Sequence, residues 1–295
     1  MTWGMKPRVK RLLPVFALLY CTVASAYVPI EVIHQTSGIA PAFFGPYAYQ
    51  VPDVSDGLMK DRPYAELAFD TVVGHIAGKG NEDYTFAPAF NIVLPLWTDR
   101  VNFKVYGEIQ EYYRDNAAVR TLRRVDSSLP LKNNDAGALY FGVDILVLRE
   151  ASWWPAVVLS ATTLTATGDH YEYARHYDAP GYHFTVSAGK SLPAGFRLSA
   201  YAGFLCWQID RGCQNDAFMF GAKASYSCSW LNASVEYGQY AGAEHYGDCP
   251  RAIKARADIK LGAVSPFLYY SHGINDWPFD QFRVGVSYTL KLKAK

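Results

Sequence analysis

From Arg251 to Leu261 the chain reads RAIKARADIKL, and its residues alternate without a break. Ile253, Ala255, Ala257, Ile259 and Leu261 fall on one face, and Lys254, Arg256, Asp258 and Lys260 on the other. Successive strand side chains point to opposite faces, so this is a strand with one aliphatic and one charged side. In a soluble sandwich the aliphatic side meets a second sheet. In a membrane-spanning barrel it meets lipid, and the charges line the lumen.

Eleven further segments share the texture, so the spacing predicts twelve strands: 64–76, 84–97, 101–114, 138–149, 156–167, 182–192, 196–209, 217–228, 230–240, 251–261, 266–272 and 281–292. Most approach the ~9–11 residues of a tilted membrane-spanning strand, about twice the usual globular length. The connections alternate. After odd-numbered strands they are long and polar, as in 77–83, 115–137 and 168–181; after even-numbered strands they are short, as in Thr98-Asp99-Arg100 and Pro193-Ala194-Gly195. A sandwich has no reason to gather its long loops at one end, whereas an outer-membrane barrel has short periplasmic turns and longer outer loops. Trp97, Trp153, Trp154 and Trp230 fall at the short-turn ends and Trp207 and Trp277 at the outer ends, where interfacial girdles belong.

The N-terminus separates from this pattern. Lys6, Arg8, Lys10 and Arg11 precede an apolar run from Leu12 to Val23 and then Ala24-Ser25-Ala26, the order of a secretory signal peptide over residues 1–26. Its removal leaves 24 basic against 27 acidic residues, a net charge of −3, with no basic surplus for nucleic acid. No later run reaches the ~18 apolar residues of a spanning helix. Residues 27–63 hold five prolines and read as an extended leader, lumenal or periplasmic. The barrel is expected over 64–295.

With these features the chain resembles a Gram-negative outer-membrane β-barrel from Tyr64 to Leu292. The segments FFGPYAYQVPD, LREASWWP, YDAPGYHF and DWPFDQFRVGVSY are similar to twelve-stranded families of that kind. The resemblance implies an all-β fold, a single antiparallel up-and-down transmembrane barrel. It also implies surroundings of outer-membrane lipid and lipopolysaccharide and insertion by the outer-membrane assembly machinery. The chain departs from the pattern at its end, running past Tyr288 to Lys293-Ala294-Lys295 where many such barrels close on an aromatic residue.

Alternation assigns the lumen its polar residues. The basic positions are Lys104, Arg114, Arg197, Lys223, Lys254, Arg256, Lys260, Arg283 and Lys291; the acidic ones are Glu66, Asp70, Glu108, Asp144, Glu236 and Asp258. Either they orient small charged solutes in a pore or they pair with one another to fill a narrow barrel. The loop with Asp169, His170, His176 and Asp178, and His183 beyond it, holds metal-ligand residue types without a compact ligand spacing, so neither metal nor cofactor is expected. Hydrolase-like pairs exist, such as His272 with Ser271 or His75 with Asp70, but no nucleophile-elbow or H-x-E motif accompanies them. Cys206, Cys213, Cys228 and Cys249 leave a bridge from Cys213 to Cys249 or Cys206 open, as well as free thiols. The expected function is a pore for small polar solutes. The alternatives are a non-conducting subunit or surface receptor of an envelope complex, and a lipid-modifying barrel enzyme.

Overall fold

The computed structural model describes residues 45–96, 99–123, 132–165, 167, 180–207, 216–241 and 248–290. Its strands are β1 (Tyr64–Gly74), β2 (Asp83–Pro95), β3 (Val101–Glu108), β4 (Gln110–Asp115), β5 (Lys132–Ala136), β6 (Leu139–Leu148), β7 (Ala156–Leu164), β8 (Gly181–Ser191), β9 (Phe196–Trp207), β10 (Asp216–Ser227), β11 (Leu231–Ala241), β12 (Arg251–Ile259), β13 (Val264–Asn275) and β14 (Phe279–Thr289). Every pairing is antiparallel, and β1 bonds both β2 and β14, which closes the sheet. Closure leaves no edge, so the wall's backbone groups are satisfied without water.

Fourteen segments make twelve wall strands with one short addition. β3 and β4 are parts of one strand broken at Ile109; both pair with β2. β5 pairs only with β4 and leads across Gly137-Ala138 into β6. The sequence predicts a loop over 115–137, but the structure places there a helix, α1 (Ala117–Arg123), and β5. Asn116 Oδ1 accepts the Val119 amide at 3.1 Å, which caps the helix.

The interruption at Ile109 corrects one assignment. Asn102, Lys104 and Glu108 face inward, but one extra residue reverses the parity, so Glu111, Tyr113 and Asp115 are buried and Arg114 is exposed. Arg114 therefore does not line the lumen; it pairs outside with Glu82.

The outer face is apolar. Leu67 and Phe69 on β1, Leu198 on β9, Val235 on β11 and Val284 on β14 are all exposed. Each such side chain gains ~1.5–3 kcal/mol on leaving water, so a full belt of them favours lipid strongly. No described helix is long and apolar enough to cross a membrane, which strands do here instead. Trp153, Trp154 and Trp230 lie exposed at the short-turn end, as girdle residues do. Trp207 and Trp277 depart from the sequence expectation: both are buried, turned into the barrel at its outer end. Trp97 lies outside the described residues.

Candidate functional site: a lumen occupied by the leader

Residues 45–62, which precede β1, run down the inside of the barrel without regular secondary structure. Prolines 46 and 52 deny the segment a continuous ladder, so the barrel wall must satisfy its backbone. Trp277 Nε1 donates to the Pro46 carbonyl at 3.1 Å and Tyr240 Oη to the Tyr49 carbonyl at 2.9 Å, at the outer end. Midway, Lys254 Nζ donates to the Val51 carbonyl at 2.6 Å and to Asp53 Oδ1 at 2.5 Å. Lower, Arg197 Nε donates to the Asp56 carbonyl at 2.6 Å and Ser225 Oγ to Asp56 Oδ1 at 3.1 Å. At the short-turn end Lys60 and Asn102 exchange two bonds of 2.9 Å. We call residues 45–62 the plug.

The outer end is narrowed by aromatic packing. Tyr47 and Tyr49 are buried in a cluster with Tyr140, Trp207, Tyr240, Trp277 and Phe279. Tyr49 meets Tyr140, His183, Trp207 and Tyr240 at ring separations of 6.0–6.3 Å, and its hydroxyl lies 3.1 Å from His183 Nδ1. Such side chains bury large areas while their polar tips find partners. The wall makes room with glycine: a Cβ on Gly189 would lie 2.2 Å from the Asp56 carbonyl oxygen, and one on Gly181 2.5 Å from the Tyr49 ring.

The plug does not fill the lumen. A cavity of about 360 Å³ remains between the plug and the wall. Asn91 of β2, Asn102 and Lys104 of β3, Asp144 of β6, Ser160 and Thr162 of β7 and His183 of β8 line it. Five acidic groups (Asp53, Glu66, Glu108, Asp144, Glu236) and six basic ones (Lys60, Lys104, Lys223, Lys254, Arg256, Arg283) border the space. The field is thus nearly balanced.

The charges are matched pairwise. Lys104 bonds Asp144 at 2.8 Å, Arg283 bonds Asp70 at 2.5 and 2.6 Å with Glu108 at 3.5 Å, and Arg256 spans Glu66 at 2.5 Å and Asp258 at 2.7 Å. Lys223 stands 3.5 Å from Asp56 and 3.6 Å from Glu236, and Lys254 lies 3.5 Å from Glu236 in addition to Asp53. Asp53 is open to the cavity, with 72% of its side chain exposed.

No protein-family model matches the chain, and no curated protein is detectably similar to it. Solved structures do match in shape. An outer membrane channel from Pseudomonas putida F1 superposes with a TM-score of 0.55 at 10% identity, covering 82% of this chain and 98% of that one. The fold is that of an outer-membrane barrel. A NanC porin gives 0.51 at 9% identity, covering 77% and 100%.

Within that barrel the residues assigned to the lumen divide. Lys104, Glu108, Lys223, Glu236, Lys254, Arg256 and Arg283 border the cavity. Arg197 faces inward but is consumed by Asp56, Ser191 and Glu150. Asp258 serves Arg256, and Lys260 is tied to Ser227 Oγ at 2.8 Å and the Cys228 carbonyl at 2.6 Å, at a short turn away from the cavity. Lys291 lies outside the described residues, as do Asp169, His170, His176, Asp178 and Cys213. Among the described residues Cys228 and Cys249 carry free thiols, and Cys206 is buried. Both hydrolase-like pairs come apart: Ser271 is buried while His272 is exposed on the other face, and Asp70 serves Arg283 while His75 meets Asp280.

Sequence reasoning missed Asp53, Asp56 and Tyr49 as site residues, because a Pro-rich segment has no periodicity that assigns it a face. The inward glycines Gly181 and Gly189 were the available signal, since a lumen wall without side chains invites another backbone.

Proposed function

We propose that this chain, exported by its N-terminal signal at residues 1–26, is an outer-membrane pore for small polar solutes whose conductance is set by its own plug. One observation carries the reading: the plug leaves a polar cavity of about 360 Å³ between itself and the barrel wall. A purely structural filling would pack that space, because unfilled volume in a protein interior forfeits contacts. The paired charges around the cavity offer both signs to a passing solute, which suits small zwitterions and neutral polar molecules more than ions of one sign. The two superposed proteins are, by name, a channel and a porin.

The outer aromatic constriction favours a second reading, a closed barrel acting as a subunit or surface receptor of an envelope complex. Liposome swelling separates the two. Proteoliposomes of the refolded full chain should swell in isosmotic glycine or small sugars faster than empty vesicles; equal rates for every solute would favour the closed barrel.

A further inference from the structure

Outside the lumen, three metal-ligating side chains converge at the outer ends of the closing strands. His75 follows the last residue of β1, His272 lies on β13 and Asp280 on β14, and their ligand atoms all lie within 4.8 Å of one another. Barrel closure itself creates the cluster. His272 stands directly opposite Asp280 in the β13–β14 register, Asp280 stands opposite Val73 across the β1–β14 seam, and the His75 amide donates to the Pro278 carbonyl at 2.9 Å.

The geometry is that of three ligands around one point. His272 Nδ1 lies 2.7 Å from Asp280 Oδ1 and His75 Nε2 3.5 Å from Asp280 Oδ2, so each imidazole meets a different carboxylate oxygen. The two imidazoles stack with centroids 5.0 Å apart. A second layer holds the carboxylate: Tyr270 Oη donates to Asp280 Oδ1 at 2.7 Å. Outer partners of this kind orient the ligands at metal sites.

We propose that His75, His272 and Asp280 form a binding site for a zinc-class divalent cation that ties β1, β13 and β14 together at the barrel seam. Two imidazole nitrogens and one carboxylate oxygen suit zinc and its transition-metal neighbours, whereas calcium and magnesium demand oxygen ligands. Three protein ligands leave a fourth tetrahedral position, and the side chains are 30%, 47% and 30% exposed, so that position opens outward.

The test uses refolded full-length protein freed of metal. Titration with zinc chloride should fill one site ahead of any other, and a large excess of magnesium should not displace the ion. His75→Gln with His272→Gln should lose that equivalent or weaken it at least about tenfold, the scale of lost metal-site support. Other histidines bind zinc as well, so wild-type protein is also treated with diethyl pyrocarbonate. Zinc should protect the rings of His75 and His272, read by peptide mass spectrometry. Equal modification of both rings with and without zinc, or unchanged first-site affinity in the double variant, would overturn the proposal.

Discussion

Lys254 Nζ on β12 lies 2.5 Å from Asp53 Oδ1 and 2.6 Å from the Val51 carbonyl, both on the plug. A wall lysine that the alternation of RAIKARADIKL points into the lumen is thus spent mainly on the chain's own N-terminal segment. Glu236, 3.5 Å away, completes the set.

Lys254→Gln should loosen the plug. It removes a charge-assisted bond and leaves Asp53 and Glu236 without their shared cation, an expected loss of about 1–3 kcal/mol. Urea unfolding of the refolded barrel measures the stability, and limited proteolysis within residues 45–62 measures plug release. Unchanged protease protection would show that the lysine is no latch.

Tyr49→Ala should cost more, about 3–5 kcal/mol by comparison with large-to-small aromatic substitutions. Its ring touches four others at the outer constriction. Tyr49→Phe keeps the ring and removes only the contact with His183, so about 1 kcal/mol is expected. Equal effects of the two variants would assign the constriction to the hydroxyl instead of packing.

How much of this was legible follows from where the information sits. The strand at 251–261 declares itself because alternation is local, and the same holds for long loops gathered at one end. The break at Ile109 was not legible: an extra residue carries no composition signal, yet it turned Arg114 outward. Trp207 and Trp277 looked like girdle residues because their position along the strand is interfacial; their inward turn depends on the plug partners, which lie more than a hundred residues away in sequence. The same distance hid Asp53 and Asp56.

Ion selectivity should follow the cavity border. Replacing Lys254 and Arg256 by Gln should move the reversal potential in a salt gradient toward cation preference, since acidic partners then remain uncompensated. Lys260→Gln and Arg114→Ala should leave it unchanged, because one side chain is held at a short turn and the other lies outside. A shift from either of the latter would mean that the conducting path runs elsewhere.

Two carboxyls outside the membrane-spanning strands should give opposite pH responses. Against the desolvation of its surroundings, Glu150 is pushed down to about 2 by Arg197 and by the Ser191 amide and hydroxyl. Its stabilisation is complete above the ordinary value near 4.3 and is lost as pH falls through about 2. Asp276 is pushed up to about 6, first by burial and then by Asp248, against the amide of Cys249 that donates to it at 2.7 Å. The outer turn should therefore be most stable below about pH 4 and weaken as pH rises through 6. Thermal unfolding across pH should show both limbs. Glu150→Gln should flatten the acid one, and Asp276→Asn, tolerated at its φ of 51°, the other. A profile unaltered by either variant would contradict these assignments.

The most direct test of a plug-controlled pore is planar-bilayer recording of the full-length protein beside a variant lacking residues 45–60. Small conductance steps are expected from the full chain and steps several-fold larger from the deletion, with the barrel intact by its heat-modifiable gel mobility. Identical steps from the two proteins, or an intact deletion variant that never conducts, would contradict it.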